Sequence, residues 1–237
     1  LSELSVSWIK RGDIVMLNAG YEGNVKLLFR GDIRNIIPER SKADKIYTIY
    51  AGDGERSIKK SYFSKAFEKG TPIKEIILDV VASFKDTFTG DIKGINNFNN
   101  KLLGTSYSGA SKDVLDKLAL DYGFSWSIQN NKITIFRDDP ANAENPVIIL
   151  SRNSGMIGSP SVTEVGVDVI AQLNPALEVN NLIKVESDFP SIQLASVYFR
   201  KIDRLLGDGI FRINKVVHSG DNRSLAWTSS ITGFRLL

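Results

Sequence analysis

The chain has 237 residues, 42% hydrophobic and 24% charged, with a net charge of +3 and a pI near 8.9, an ordinary globular composition long enough for two or three packed units. Its Lys and Arg are dispersed apart from Lys59-Lys60 and Arg200-Lys201-Arg204, so charge alone does not argue for a dedicated nucleic-acid binder. The absence of cysteine and the single histidine, His218, exclude a disulfide framework, a thiolate nucleophile and any Cys-based or two-histidine metal motif.

Residues 1–56 read as β. Gly12-Asp13 leads into a strand at 14–17, and Gly20, Glu22, Gly23 and Asn24 make a turn-rich connection. Residues 26–37 form a strand with a bulge or bend expected at Gly31. Residues 45–51 alternate Ile46, Thr48 and Tyr50 with Tyr47 and Ile49, and Gly52-Asp53-Gly54 ends the strand. Residues 58–69 fit a strand or a short helix, with Tyr62-Phe63 and Phe67 favouring an aromatic-rich strand start. Thr71-Pro72 predicts a helix start, Thr71 as N-cap and Pro72 at the first helical position. Ile73, Ile76, Ile77, Val80, Val81 and Phe84 then line one apolar helical face. A Gly/Asn-rich connection at 89–100 precedes a second helix at 110–122. Its expected N-cap is Ser111, its apolar face Val114, Leu115, Leu118, Ala119 and Tyr122, and its C-cap Gly123. Strands 124–129 and 132–137 flank Asn130-Asn131, a two-residue hairpin turn, and 138–142 read as a linker.

Residues 146–237 return to β. The run 147–150 is apolar, and Gly155, Gly158 and Pro160 predict a corner. In 163–172, Val165, Val167, Val169 and Ala171 alternate with Glu164, Gly166, Asp168 and Gln172, Ile170 being the apolar exception. This is a strand with one buried face. Asn174-Pro175 opens a turn, and Asn180-Asn181 tolerate the left-handed backbone before a strand at 181–186. Residues 198–206 are ambiguous; 209–218 and 225–234 are strands around a turn at 219–223.

Two regions share an order of parts. GDIVML precedes KLLFRGDIRNI, and NLIKVE precedes GIFRINKVV, so that Phe29-Arg30 and Phe211-Arg212 occupy the same place. Two readings stay open: a duplication, giving two related barrels around an inserted α/β unit at about 57–140, or the chance likeness of any two antiparallel strand pairs.

Candidate sites weigh toward structural roles. His218 ends a strand without a nucleophile elbow or a spaced Ser and Asp, and reads as a surface or turn histidine. Asp53 and Glu55 around Gly54 read as a solvated turn rather than a glycosidase pair. Gly20-Tyr21-Glu22-Gly23 is not followed by the Gly-Lys-Ser/Thr of a phosphate loop. Asp138-Asp139 with Asn142 and Glu144 lacks the spacing of a calcium loop. Lys59, Lys60, Lys65 and Lys69, interleaved with Tyr62, Phe63 and Phe67, could track a nucleic-acid strand, but such a row is more often core-facing with a charged edge. Trp8, Trp126 and Trp227 are expected to pack in barrel or α/β cores. No apolar run reaches the ~18–20 residues of a membrane-spanning helix, so no membrane anchor is expected. LSELSVSW has neither an initiator Met nor a signal-peptide pattern, and is expected to be the start of a fragment.

Four segments carry a resemblance. AGYEGNVKLLFRGDI (19–33), WSIQNNKITIF (126–136) after its helix, GMIGSPSVTEVGVDVIAQLNPALEVNNLIKVES (155–187) and GIFRINKVVHSGDNRSLAWTSSITGF (209–234) resemble bacteriophage baseplate hub proteins. These are related to the T4-type central hub and to late control protein D. The resemblance implies an α+β fold with two tail-tube-like β-barrel domains flanking an inserted small α/β domain. The corresponding boundaries are 1–56 for a first, N-terminally incomplete barrel, 57–140 for the insertion and 141–237 for the second barrel. It implies a structural protein of the phage virion, assembled in the host cytoplasm. Its homotrimeric, pseudo-hexameric ring would join tail tube and spike proteins and surround a channel that passes the genome without specific binding. Some related hubs carry a fused lytic domain; none is recognisable here, so no enzymatic role and no cofactor are expected. Candidate subunit-interface strands are those of Val165, Val167 and Val169 and of Ile210, Ile213 and Val216. The competing reading is a soluble β-barrel binding domain for oligosaccharide or nucleic acid, which should show a basic, aromatic wall.

Overall fold

The computed structural model describes residues 8–41, 44–92, 104–136, 147–163, 166–187, 191–192, 209–223 and 227–235. Most of the regular structure is β, with few helices. The chain divides into two compact units, one of Leu1–Asn18 with Leu27–Asp139 and one of Ala19–Lys26 with Pro140–Leu237.

Strands β1 (Ile14–Ala19), β2 (Lys26–Ser41) and β3 (Asp44–Gly52) form a three-stranded sheet in that order. The antiparallel β2–β3 register shifts between Ile33 and Asn35, so the irregularity of that pair falls at Arg34. Gly31 answers a different need. A Cβ there would stand 2.5 Å from the Gly52 carbonyl oxygen, so glycine permits a close backbone approach. The ambiguous stretch that follows is helix and strand in turn: α1 (Glu55–Lys60), then β4 (Tyr62–Phe67).

Helix α2 (Ile73–Ala82) buries Ile73, Ile76, Ile77, Val80 and Val81, the face its sequence period defines, and Phe84 beyond its end is buried with them. Its N-cap is Pro72 in extended conformation; the Thr71 hydroxyl instead donates back to the Glu68 carbonyl at 2.9 Å. After β5 (Phe88–Ile92) and β6 (Thr105–Ala110), helix α3 (Ser111–Tyr122) buries Val114, Leu115 and Leu118. Ser111 is its first residue rather than its cap, since Ala110 takes that place. The fully buried Ser111 hydroxyl accepts from Ser83 Oγ at 2.8 Å, linking the end of α2 to the start of α3. Strands β7 (Ser125–Gln129) and β8 (Lys132–Phe136) pair through Asn130-Asn131, both at positive φ, as the two-residue turn requires. Helices and strands close one core that joins Phe63, Phe67, the α2 and α3 faces, Phe124, Ile133 and Ile135. Gly123 caps α3 at φ 66° with open space around it. Gly123→Ala should therefore lose only the left-handed preference, about 1 kcal/mol in urea unfolding.

The second unit centres on one open seven-stranded sheet, a half-barrel. Its strands are β9 (Val147–Leu150), β10 (Met156–Val162), β11 (Gly166–Gln172), β12 (Leu182–Val185), β13 (Ser191–Ile192), β14 (Gly209–Ser219) and β15 (Thr228–Arg235). They run in the order β13-β10-β11-β15-β14-β12-β9. Thus β11 and β12, neighbours in sequence, are separated in the sheet by the β14–β15 hairpin. The expected corner at Gly155, Gly158 and Pro160 is instead mostly strand. Gly155 precedes β10, and β10 absorbs Gly158 and Pro160 in a register shift between Ile157 and Ser161, with Gly158 at φ 72°. The inner face packs Leu150, Val167, Val169, Ala171, Ile183, Val185, Phe211, Ile213 and Ile231 around Leu177 from the connection 173–181. That connection ends with Asn180 at φ 76°, whose N–H donates to the Ile213 carbonyl at 2.8 Å. Among the described residues none of the four sheets closes into a barrel.

Candidate assembly surface

Strand β11 alternates strictly. Val167, Val169 and Ala171 point inward, while Asp168, Ile170 and Gln172 are exposed. Strand β14 does not. A shift between Ile213 and Lys215 leaves Asn214 as an extra residue, and the phase of the strand flips there. Phe211 and Ile213 are buried before the bulge, and Val216 packs against the same core after it. Lys215 and Val217 therefore join the exposed face.

The registers assemble this outer face into two adjacent rows across β10, β11, β15 and β14. Ile157, Ile170, Ser230 and Val217 stand side by side in one; Ser161, Asp168, Thr232 and Lys215 stand in the other. The first row is mainly apolar and open, with Ile157, Ile170 and Val217 each 44–48% exposed. The second is polar and internally satisfied in part, since Thr232 Oγ1 donates to Asp168 Oδ1 at 2.7 Å. Ser159 and Ser161 border a shallow trough between the rows. The outer edge at β9 exposes Val147 and Ile149.

Of the six interface candidates, Val167, Val169 and Ile213 belong to the unit's own core, Val216 packs against it, and Ile210 is exposed. Val165 lies outside the described residues. The strands singled out do carry an open face, which holds Ile210 but otherwise the side chains alternate to the described candidates. Alternation reveals that a strand has two faces; it does not reveal which faces inward.

The other candidates take structural positions. Asp53 is not a solvated turn residue. It accepts the N–H of Asn130, and that of Asn131 at 2.9 Å, so it clamps the β7–β8 turn. Burial raises its pKa, against those two bonds. Glu55 is held below the usual carboxylate range by its hydrogen bond to Lys59, with Arg34, 2.6 Å away, acting in the same direction. His218 is a half-buried inward-facing residue of β14, not a surface histidine. Its Nδ1 lies 2.8 Å from Ser229 Oγ, and burial lowers its pKa. Phe63 and Phe67 are buried while Lys65 pairs with Asp79 at 2.6 Å. Of that aromatic row only Tyr62 is exposed, with its hydroxyl 2.9 Å from Ser108 Oγ. Trp126 lies against the first core and donates to Asp116 at 2.9 Å, Trp227 is half-buried, and Trp8, expected in a core, is 78% exposed. Gly20-Tyr21-Glu22-Gly23 leads into a turn closed by the Asn24 N–H on the Tyr21 carbonyl. The segments 138–144 and 198–206 lie outside the described residues. Among the described residues no cluster of three His, Cys, Asp or Glu could hold a metal, and no helix is long and apolar enough to cross a membrane.

Comparison with known proteins gives this surface its context. The family described as baseplate hub gp41 matches residues 6–197. The fold resembles the 43 kDa tail protein of prophage MuSo2 from Shewanella oneidensis, with a TM-score of 0.57 at 11% identity over 90% of this chain and 78% of that one. It also resembles a tail protein from Neisseria meningitidis MC58, with a TM-score of 0.58 at 8% identity over 89% of this chain and 81% of that one. No curated protein sequence matches the chain. The family match spans most of both units, and the chain belongs to the baseplate hub gp41 family, a structural component of the phage tail baseplate.

Proposed function

We propose that the chain forms a homotrimeric hub ring that joins the tail tube to the spike and surrounds the channel through which the genome leaves. Residues 1–56 and 141–237 would supply the tube-like parts of each protomer, and 57–140 the insertion between them. Family membership favours a role made of contacts with other tail components. The observation that carries the reading on this chain is the outer face of the seven-stranded sheet. It leaves Ile157, Ile170 and Val217 open beside a polar row, although the opposite face has a complete core. A sheet with one finished face and one half-apolar open face is built to be covered. In this reading the interface strands β11 and β14 act through Asp168, Ile170, Lys215 and Val217. No enzymatic step enters the role.

Light scattering over a concentration series tests the stoichiometry. The expected species has three times the 26.2 kDa chain mass. Ile170→Asp combined with Val217→Asp should lower the association constant at least about tenfold while leaving the unfolding midpoint nearly unchanged, because both side chains are exposed. A wild-type monomer at every concentration would remove the self-assembling ring. A trimer indifferent to the double substitution would move the interface off this face.

A further inference from the structure

The connection 173–181 covers one end of the inner face, and a polar cluster fastens it. Ser229 is fully buried on β15 opposite His218 of β14. Its Oγ accepts the Asn174 N–H at 3.1 Å and lies 2.8 Å from His218 Nδ1. The imidazole also bonds the Leu177 main chain, and this bond favours the protonated ring, so its partner is the carbonyl oxygen. One histidine thus reaches β15 and the connection together. Leu177, at the middle of the connection, is fully buried in the core.

The hydroxyl has one proton and two lone pairs. One lone pair serves Asn174. With a neutral ring protonated on Nε2, the Ser229 O–H donates to Nδ1 and the cluster is satisfied. When Nδ1 gains a proton it becomes a donor, takes the second lone pair, and the Ser229 O–H must turn elsewhere in a site without exposure. Among the described residues no carboxylate acts on the imidazolium to compensate its burial. The ionisable residues of the surrounding elements are Glu178 on the connection, Arg212 and Lys215 on β14, Asp221 and Arg223 in the turn after it, Arg235 on β15, and Tyr21, whose hydroxyl donates to the Trp227 carbonyl. Burial and the Leu177 bond, not a neighbouring charge, set the ring's titration.

We propose that His218 is an acid-sensitive latch: neutral, it holds the connection 173–181 against the β14–β15 hairpin, and protonated, it lets that connection detach. The direction follows from linkage. The latched ring titrates below the ordinary value of about 6.5, which the opened ring regains. The latch is therefore complete above about pH 6.5 and is lost as the pH falls from there through the lower, latched value. Within that window the opened fraction grows about tenfold per pH unit, the slope of one proton.

Two measurements on the full chain test this. As the only histidine, His218 gives a single imidazole Cε1–H NMR signal whose midpoint is read directly. Amide hydrogen exchange over 173–181, corrected for intrinsic chemistry, should accelerate about tenfold per unit as the pH falls below about 6.5, while β11 amides keep their protection. His218→Gln keeps an acceptor toward Ser229 without a titrating proton, and should abolish that acceleration. Should this variant not fold, the wild-type comparison still decides, because latch and imidazole must share one midpoint. Protection over 173–181 that stays constant through the imidazole titration overturns the proposal. So does a pH dependence that persists unchanged in folded His218→Gln.

Discussion

Gly166→Val is expected to leave the second unit without a cooperative unfolding transition. Gly166 begins β11 opposite Phe234 of β15. A Cβ built on it would lie 1.8 Å from the Gly233 carbonyl oxygen and 2.9 Å from its carbon. Both are backbone atoms of the adjacent strand, so no rotamer change can clear them; the strands must separate or the register must slip. The slip is costly, because moving β11 by one residue would send Val167, Val169 and Ala171 outward and Asp168 and Ile170 into the core. Even Gly166→Ala meets the same oxygen, with an expected loss of about 3 kcal/mol or more, beyond the usual range for overpacking. Gly158→Ala provides the contrast. Its φ is 72° but nothing lies within 4 Å of the added carbon, so only about 1 kcal/mol of backbone preference is at stake. Near-ultraviolet circular dichroism with urea titration separates the two. Equal effects at Gly158 and Gly166 would mean that the close strand approach is not what glycine serves at 166.

The sequence signals that held were local. The Asn130-Asn131 turn, the apolar faces of α2 and α3, the Gly123 cap and the left-handed Asn180 all follow from side-chain chemistry within a few residues. The misplaced cap at Thr71 is a near relative of these successes. Pro72 lacks an N–H and already has the extended backbone a cap needs, and the Thr71 hydroxyl finds a nearer partner in Glu68. What the sequence concealed was non-local. Nothing in 163–186 tells that a hairpin from forty residues later separates β11 from β12. Nothing in GIFRINKVVH marks Asn214 as the residue that flips the phase of β14. Strict alternation puts Ile213 and Val216 on opposite faces, whereas the bulge brings both inward and exposes Val217. For the same reason the sequence pointed to two strands that carry an open face, but not to the side chains that stand on it. His218 read as a turn residue because its two partners, Ser229 and Leu177, are brought to it only by the sheet and its connection.

The second large effect comes from the two segments that share an order of parts, and it allows a direct comparison. Phe29 and Phe211 hold the same place in the two segments, yet their surroundings differ. Phe211 is 1% exposed at the centre of the second core, with the Arg235 guanidinium 5.7 Å from its ring centre. Phe29 is only half-buried on a sheet whose large apolar residues remain substantially open, among them Ile14, Met16, Leu27 and Ile46. Truncating Phe211 to Ala removes a whole ring from close packing and leaves a cavity bounded by β-branched neighbours that cannot collapse into it, at a cost of about 3–5 kcal/mol. Phe29→Ala should cost the isolated chain about 1–2 kcal/mol, the share of a ring that water already reaches. The asymmetry should narrow on assembly if the first sheet is the part of the protomer that other tail components cover. In that case Phe29→Ala would lose association as well as stability, whereas Phe211→Ala would act through folding alone. Urea midpoints of the dilute chain give the first comparison and light scattering at high concentration the second. Equal costs in the dilute chain would make the two segments equivalent packing sites. A Phe29→Ala chain that associates like wild type would take the first sheet out of the assembly surface.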